Sequence, residues 1–140
     1  MKVLVDTTIW SQALRRNNGS NKNEVKELLE LIKEFRVIII GPIRQELLSG
    51  IPDEKTFKAL KEKLIPFEDI PIHSAHYESA ASLFNICRKN GIQGSHIDFL
   101  ICAVSIANNY SIFTSDKDFT GYQKYTGIKL HKVREGIKEY

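Results

Sequence analysis

Two short apolar runs, each ended abruptly, constrain this chain more than any other feature. Val37-Ile38-Ile39-Ile40 stops at Gly41-Pro42, and Val3-Leu4-Val5 stops at Asp6. A run with no polar position has no solvent face, so as a strand it is buried on both sides. A strand buried on both sides belongs in a parallel sheet with helices over each face.

The remaining sequence supplies those helices. Thr8 to Leu14 reads as a short one, followed by the polar stretch Asn17-Asn18-Gly19-Ser20-Asn21, the expected flexible loop. Val25, Leu28, Leu29, Ile32 and Phe35 recur at helical spacing. Pro42 is suited to open a helix that carries Glu46 and ends near Gly50. A further helix is expected over Glu54 to Leu64, with Phe57, Leu60 and Leu64 on one face. Phe67 to Ile72 predicts a weak strand, interrupted by Pro66 and Pro71. Long helices follow from Ala75 to Asn90 and from about His96 to Asn109. Ile112-Phe113-Thr114 and Lys129 to Val133 complete a set of five strands. The fold class is therefore α/β with a parallel sheet.

A length of 140 residues fits one domain over residues 1–140, and 42% hydrophobic residues can fill its core without staples. Cys87 and Cys102 sit in apolar helical patterns with no metal-ligand spacing, as buried thiols of a reducing cytosol would. No apolar run approaches the ~20 residues of a membrane span, so a cytoplasmic protein is expected. A net charge of +3 does not indicate a dedicated DNA-coating protein, and neither requires nor forbids contact with a polyanion.

In sheets of this kind the ligand lies beyond the carboxyl ends of the strands. Asp6 follows the first strand directly, and Asp116 follows Thr114 after one residue. Glu46 lies one turn into the helix after the second strand, and Asp98 lies in the first turn of the helix feeding Ile112. All four acids can converge at one edge. Singly, each has an ordinary reading. Asp98 follows Ser95 as a capping pair, Asp6 and Asp116 suit turns, and Glu46 suits a solvated helix face. Together they repel unless a cation neutralises them. Oxygen ligands suit a hard divalent ion, Mg²⁺ or Mn²⁺. Such an ion suits phosphodiester hydrolysis through an activated water.

These segments resemble the PIN-domain nucleases, and within them the VapC toxins of toxin–antitoxin pairs. Val3-Leu4-Val5-Asp6-Thr7-Thr8 looks like the family's opening strand and first acid. Ile43-Arg44-Gln45-Glu46-Leu47 is similar to the helix bearing its second, and Ile97-Asp98-Phe99-Leu100-Ile101-Cys102-Ala103 to the helix bearing its third. Thr114-Ser115-Asp116-Lys117-Asp118-Phe119 is the most specific piece, close to T-x-D-x-D-F. The resemblance implies a three-layer α/β/α sandwich with a five-stranded parallel sheet. It implies Mg²⁺- or Mn²⁺-dependent endonucleolytic cleavage of RNA. It also implies a homodimer and a heterotetramer or larger assembly with a cognate VapB-like antitoxin, part of which enters the active-site groove. Carried over by residue, Asp6, Glu46, Asp98 and Asp116 hold metal and activate water, and Asp118 adds an outer ligand. Glu46 is the first of these to drop from direct ligation. Thr7 and Thr114 position an acid or a water. Thr8 stands where the family more often has Ser or Asn.

Other residues are weighed against ordinary roles. His96 suits a helix start better than a phosphate contact, and His73, His76 and His131 have no zinc spacing. Arg15, Arg16, Lys22, Arg44, Lys117 and Lys124 are candidates for an RNA groove, with a solvated face as the default. Arg44 and Lys117 are the better placed, each beside an acid. Trp10, Tyr122 and Tyr125 fit packing better than base stacking, and Phe119 fits a core anchor. Two alternatives remain: a PIN nuclease of RNA processing without an antitoxin, and a binding module that has lost catalysis. Four retained, mutually repelling acids speak against the second. A haloacid-dehalogenase phosphatase would need D-x-D where Thr8 stands.

Overall fold

The computed structural model describes residues 1–14 and 22–135. The loop expected at Asn17 to Asn21, with Arg15 and Arg16, lies outside the described residues, and so does the side chain of Lys22. Strand β1 (Val3–Val5) is central. It pairs in parallel with β2 (Val37–Ile38) and with β3 (Ser111–Phe113), and β3 pairs in parallel with β4 (Lys129–Leu130). The order is β2-β1-β3-β4, with Leu4 opposite both Ile38 and Ile112. Val3, Leu4 and Val5 are all fully buried. Successive strand residues point to opposite faces, so both faces of the sheet are covered.

Helices α1 (Thr7–Leu14), α2 (Lys22–Lys33), α3 (Gly41–Leu48) and α4 (Glu54–Lys63) form one contacting set. Helices α5 (Ser74–Lys89), α6 (His96–Asn108) and α7 (Asp118–Thr126) contribute to a second, with α5 packed on α6 and α7. Phe99 to Ser105 in α6 is buried without interruption, so this helix carries much of the core. Its bounds follow from its caps. Ser95 Oγ accepts from the Asp98 amide, and Asn109 at φ 57° ends the helix in the left-handed conformation. Among the described residues no helix is long and apolar enough to cross a membrane. Cys87 and Cys102 are free, buried thiols.

Two expectations need correction. The sheet has four strands among the described residues, not five. The predicted weak strand at Phe67 to Ile72 is reduced to one bridge, Asp69 opposite Ile39, with the Ile70 amide donating to Ile39 O. Pro71 has no amide to extend that ladder. Helix α7 was not anticipated. Its sequence, DFTGYQKYT, mixes Gly and Thr with weak helix formers, and only Phe119 and Tyr122 are buried.

Candidate active site

The carboxyl edge of the sheet gathers the four acids. The Asp6 amide donates to Phe113 O at 2.9 Å, extending the β1–β3 ladder by one residue. Asp6 O then accepts from the Ile9 and Trp10 amides and opens α1. The Asp6 side chain is thus fixed where a strand becomes a helix, and the residue is only 7% exposed. Its Oδ2 accepts from Thr114 Oγ1 at 2.7 Å and from Thr8 Oγ1 at 3.1 Å. Burial still dominates and pushes its pKa above the ordinary carboxylate value, against these hydroxyls and the Thr7 and Thr8 amides.

The same hydroxyls order the loop after β3. Thr8 Oγ1 accepts from the Ser115 amide, and Thr114 Oγ1 accepts from the Asp116 amide at 3.0 Å. Asp116 Oδ1 in turn accepts from the Asp118 amide at 2.9 Å, at the start of α7. Asp98, on the first turn of α6, accepts through Oδ2 from Tyr122 Oη at 2.7 Å. Burial raises the Asp98 pKa, and the nearby charges of Asp6 and Asp116 add to the rise. Burial and the Asp98 carboxylate both push the Tyr122 phenol well above its usual range, so it stays a donor. Glu46, exposed on α3, accepts from Thr7 Oγ1 at 3.0 Å.

These residues line one open cleft of about 580 Å³. Asp6, Glu46, Asp98 and Asp116 contribute the charge, and Thr7, Thr8, Ser11, Gln12, Ser95 and Ser115 the neutral polar groups. Among the described residues no Lys, Arg or His lines it, and none of the four acids is ion-paired. The expected cluster, spread from residue 6 to residue 116, is therefore brought together. Thr7 lines the cleft with it, and Thr114 lies behind, bonded to Asp6.

Other candidates lie elsewhere. Asp118 and Lys117 are exposed and do not line the cleft. Arg44 is taken up by structure, paired with Asp69 at 2.9 Å and donating to Leu64 O and Phe67 O. His96 stacks on Phe84 with ring centroids 5.1 Å apart. Trp10 is buried edge-on against Phe67, and Phe119 is fully buried.

Among the described residues, no three histidine, cysteine or carboxylate side chains stand close enough to grip an ion as they are. The donor set nevertheless suits a hard divalent cation. It is all oxygen, and among the described residues no cationic side chain in the cleft offsets its charge. Sequence reading missed the bond from Tyr122 to Asp98. It also missed the role of Thr8, and that of Gln12, whose Nε2 donates to Ser115 Oγ at 3.1 Å. No local pattern signals the Tyr122–Asp98 bond, which joins residues 24 apart in the chain.

Comparison with known proteins adds an independent finding. The family model for the PIN domain matches residues 3–125. The crystal structure of FitAcB from Neisseria gonorrhoeae is similar with a TM-score of 0.76 and 22% identity, over 94% of this chain and 97% of that one. VapBC2 from Rickettsia felis, bound to a DNA fragment from their promoter, is similar with a TM-score of 0.74 and 21% identity, over 94% and 98%. FitAB bound to the IR36 DNA fragment gives 0.76 and 19%, over 95% and 99%. At these identities the likeness is one of fold. No curated protein sequence matches the chain.

Proposed function

The chain belongs to the PIN-domain family, and on that premise we propose that it is a Mg²⁺- or Mn²⁺-dependent endoribonuclease, the toxin of a VapBC-like pair. In this reading residues 1–140 form one cytoplasmic domain that acts as a homodimer on RNA. A VapB-like antitoxin neutralises it in a heterotetramer or larger assembly. One observation carries the enzymatic part: four acids from four separate segments line one cleft, which holds no cationic side chain among the described residues. The antitoxin part is supported by the neighbours VapBC2 and FitAB, which are two-component complexes.

Asp6, Asp98 and Asp116 would hold the ion, with Asp118 as an outer contributor. A divalent ion bound there supplies a water that is nucleophilic at neutral pH and stabilises the leaving oxygen. Thr8 and Thr114 hold Asp6 through Oδ2, and Thr7 holds Glu46 through Oε1. Glu46 Oε2, not engaged by Thr7, would be the oxygen available to orient a water and take up its proton. No covalent nucleophile is required, and no histidine stands in the cleft to activate Ser11, Ser95 or Ser115. Lys117, exposed beside Asp116, is placed to meet a phosphate; Arg44 is not, because its guanidinium is engaged.

The test is cleavage of unpaired RNA by purified chain with Mg²⁺ or Mn²⁺. Cleavage that stops in excess EDTA and in Asp98→Asn supports the reading. Undiminished activity in either would sink it. Cleavage without growth arrest on expression would point instead to a nuclease of RNA processing.

A further inference from the structure

We propose that Tyr122 is a positioning residue for Asp98, its hydroxyl tying one carboxylate oxygen so that the other is presented to a divalent cation, and that Gly94 is what gives it room. The inference rests on the metal-dependent reading of the cleft.

Tyr122 is fully buried, yet its hydroxyl is satisfied by Asp98 Oδ2 at 2.7 Å. A buried phenol needs such a partner, and this one is a charged group, which makes the bond strong. The ring has little freedom to leave it. It packs against Phe99 with centroids 4.7 Å apart and edge-on against Phe119 at 5.0 Å. The bond also spans two elements. Asp98 starts α6, whereas Tyr122 lies in α7, the helix whose first amide is held by Asp116. One hydroxyl therefore sets the Asp98 carboxylate relative to the helix that Asp116 anchors.

The approach of Tyr122 is paid for in the loop before α6. A Cβ on Gly94 would stand 2.7 Å from Tyr122 Cζ and 2.9 Å from Phe99 Cε2, closer than real Cβ contacts come. Gly91 in the same loop has open space around it and is glycine for its φ of +80° instead. Gly94 is thus a matter of room, and the room is filled by the ring that holds Asp98. Groups that orient metal ligands from behind typically change metal affinity by roughly 10–100-fold when removed.

The experiment is titration of the full chain with MnCl₂ by calorimetry, alongside thermal melts. Tyr122→Phe keeps the ring and removes only the donor. It should weaken Mn²⁺ binding by about 10–100-fold. Gly94→Ala should shift affinity the same way by pushing the ring aside. Leu60→Ala, on α4, should lower Tm and leave Mn²⁺ affinity unchanged, which separates positioning from general loosening. Wild-type affinity in Tyr122→Phe overturns the proposal, and if Asp98→Asn still abolishes binding, the metal reading stands without it. Absence of Mn²⁺ uptake by the wild-type chain overturns both.

Discussion

Two buried carboxylates in this protein are treated in opposite ways. Glu27, on α2, is wholly buried, and its Oε2 meets His131 Nε2 at 2.5 Å and Arg134 Nε at 2.8 Å. Arg134 continues to Glu34, whose carboxyl is held below its ordinary range by hydrogen bonds from Arg134 and Arg36. Asp6 is nearly as buried but meets only hydroxyls and amides, and its pKa moves upward. The chain can therefore pair a buried acid with a cationic side chain, Arg134. It does so where residues 131–134 close onto α2, and among the described residues it does not do so in the cleft. An unneutralised buried carboxylate costs stability. That cost fits the proposed metal site, where a bound cation would supply the missing charge.

The contrast can be broken from either side. The largest effect is expected in the cleft: Asp6→Asn or Asp98→Asn should lower metal-dependent RNA cleavage on the order of 10³-fold while circular dichroism shows an intact fold. Next comes the paired acid. Arg134→Met should destabilise the chain by about 3 kcal/mol in urea unfolding, because Glu27 is left underpaired. Adding Glu27→Met should recover much of that loss, since an apolar pair replaces a broken ionic one. Thr8→Val, which removes one hydroxyl from Asp6, should reduce cleavage by about tenfold, with Thr8→Ser close to wild type.

The smallest effect has the opposite sign to most core substitutions. Asp6 and Asp98 bind protons more tightly folded than unfolded. The metal-free fold therefore loses stability as pH rises from the ordinary aspartate range through their raised folded values, and the penalty is absent below that range. Asp6→Asn should raise the metal-free Tm by about 3 °C at neutral pH. The gain should fade on acidification and shrink when Mn²⁺ is added. A lower Tm for Asp6→Asn at neutral pH would show that its hydrogen bonds outweigh its desolvation.

What the sequence disclosed depended on how local its physics is. Val3 to Val5 and Val37 to Ile40 announce buried strands because burial on two faces removes every polar position. Strand ends then place Asp6 and Asp116 without further information. Ser95 and Asp98 advertise a helix start at three-residue spacing, and the bond is present. Helix α7 was hidden because Asp118 to Thr126 has no long apolar period, and tertiary contacts of Phe119 and Tyr122 stabilise it instead. The Glu27–His131 pair spans 104 residues, and Tyr122 to Asp98 spans 24. Neither has a local pattern. Arg44 looked like a partner for RNA because it neighbours Glu46, yet residues two apart on a helix point in different directions, and Arg44 turns to Asp69.

That turn of Arg44 has a consequence for the protein in solution. The outer side of β2 would otherwise offer free amides and carbonyls to any passing extended chain, the usual start of edge-to-edge aggregation. Just past the end of β2, Asp69 pairs with Ile39 through one bridge, and Arg44 holds the preceding turn through Asp69, Leu64 O and Phe67 O. With Pro71 lacking an amide, the pairing does not extend past this point. One end of that edge is thus capped at Ile39 by a piece of the chain itself, which adds no strand among the described residues.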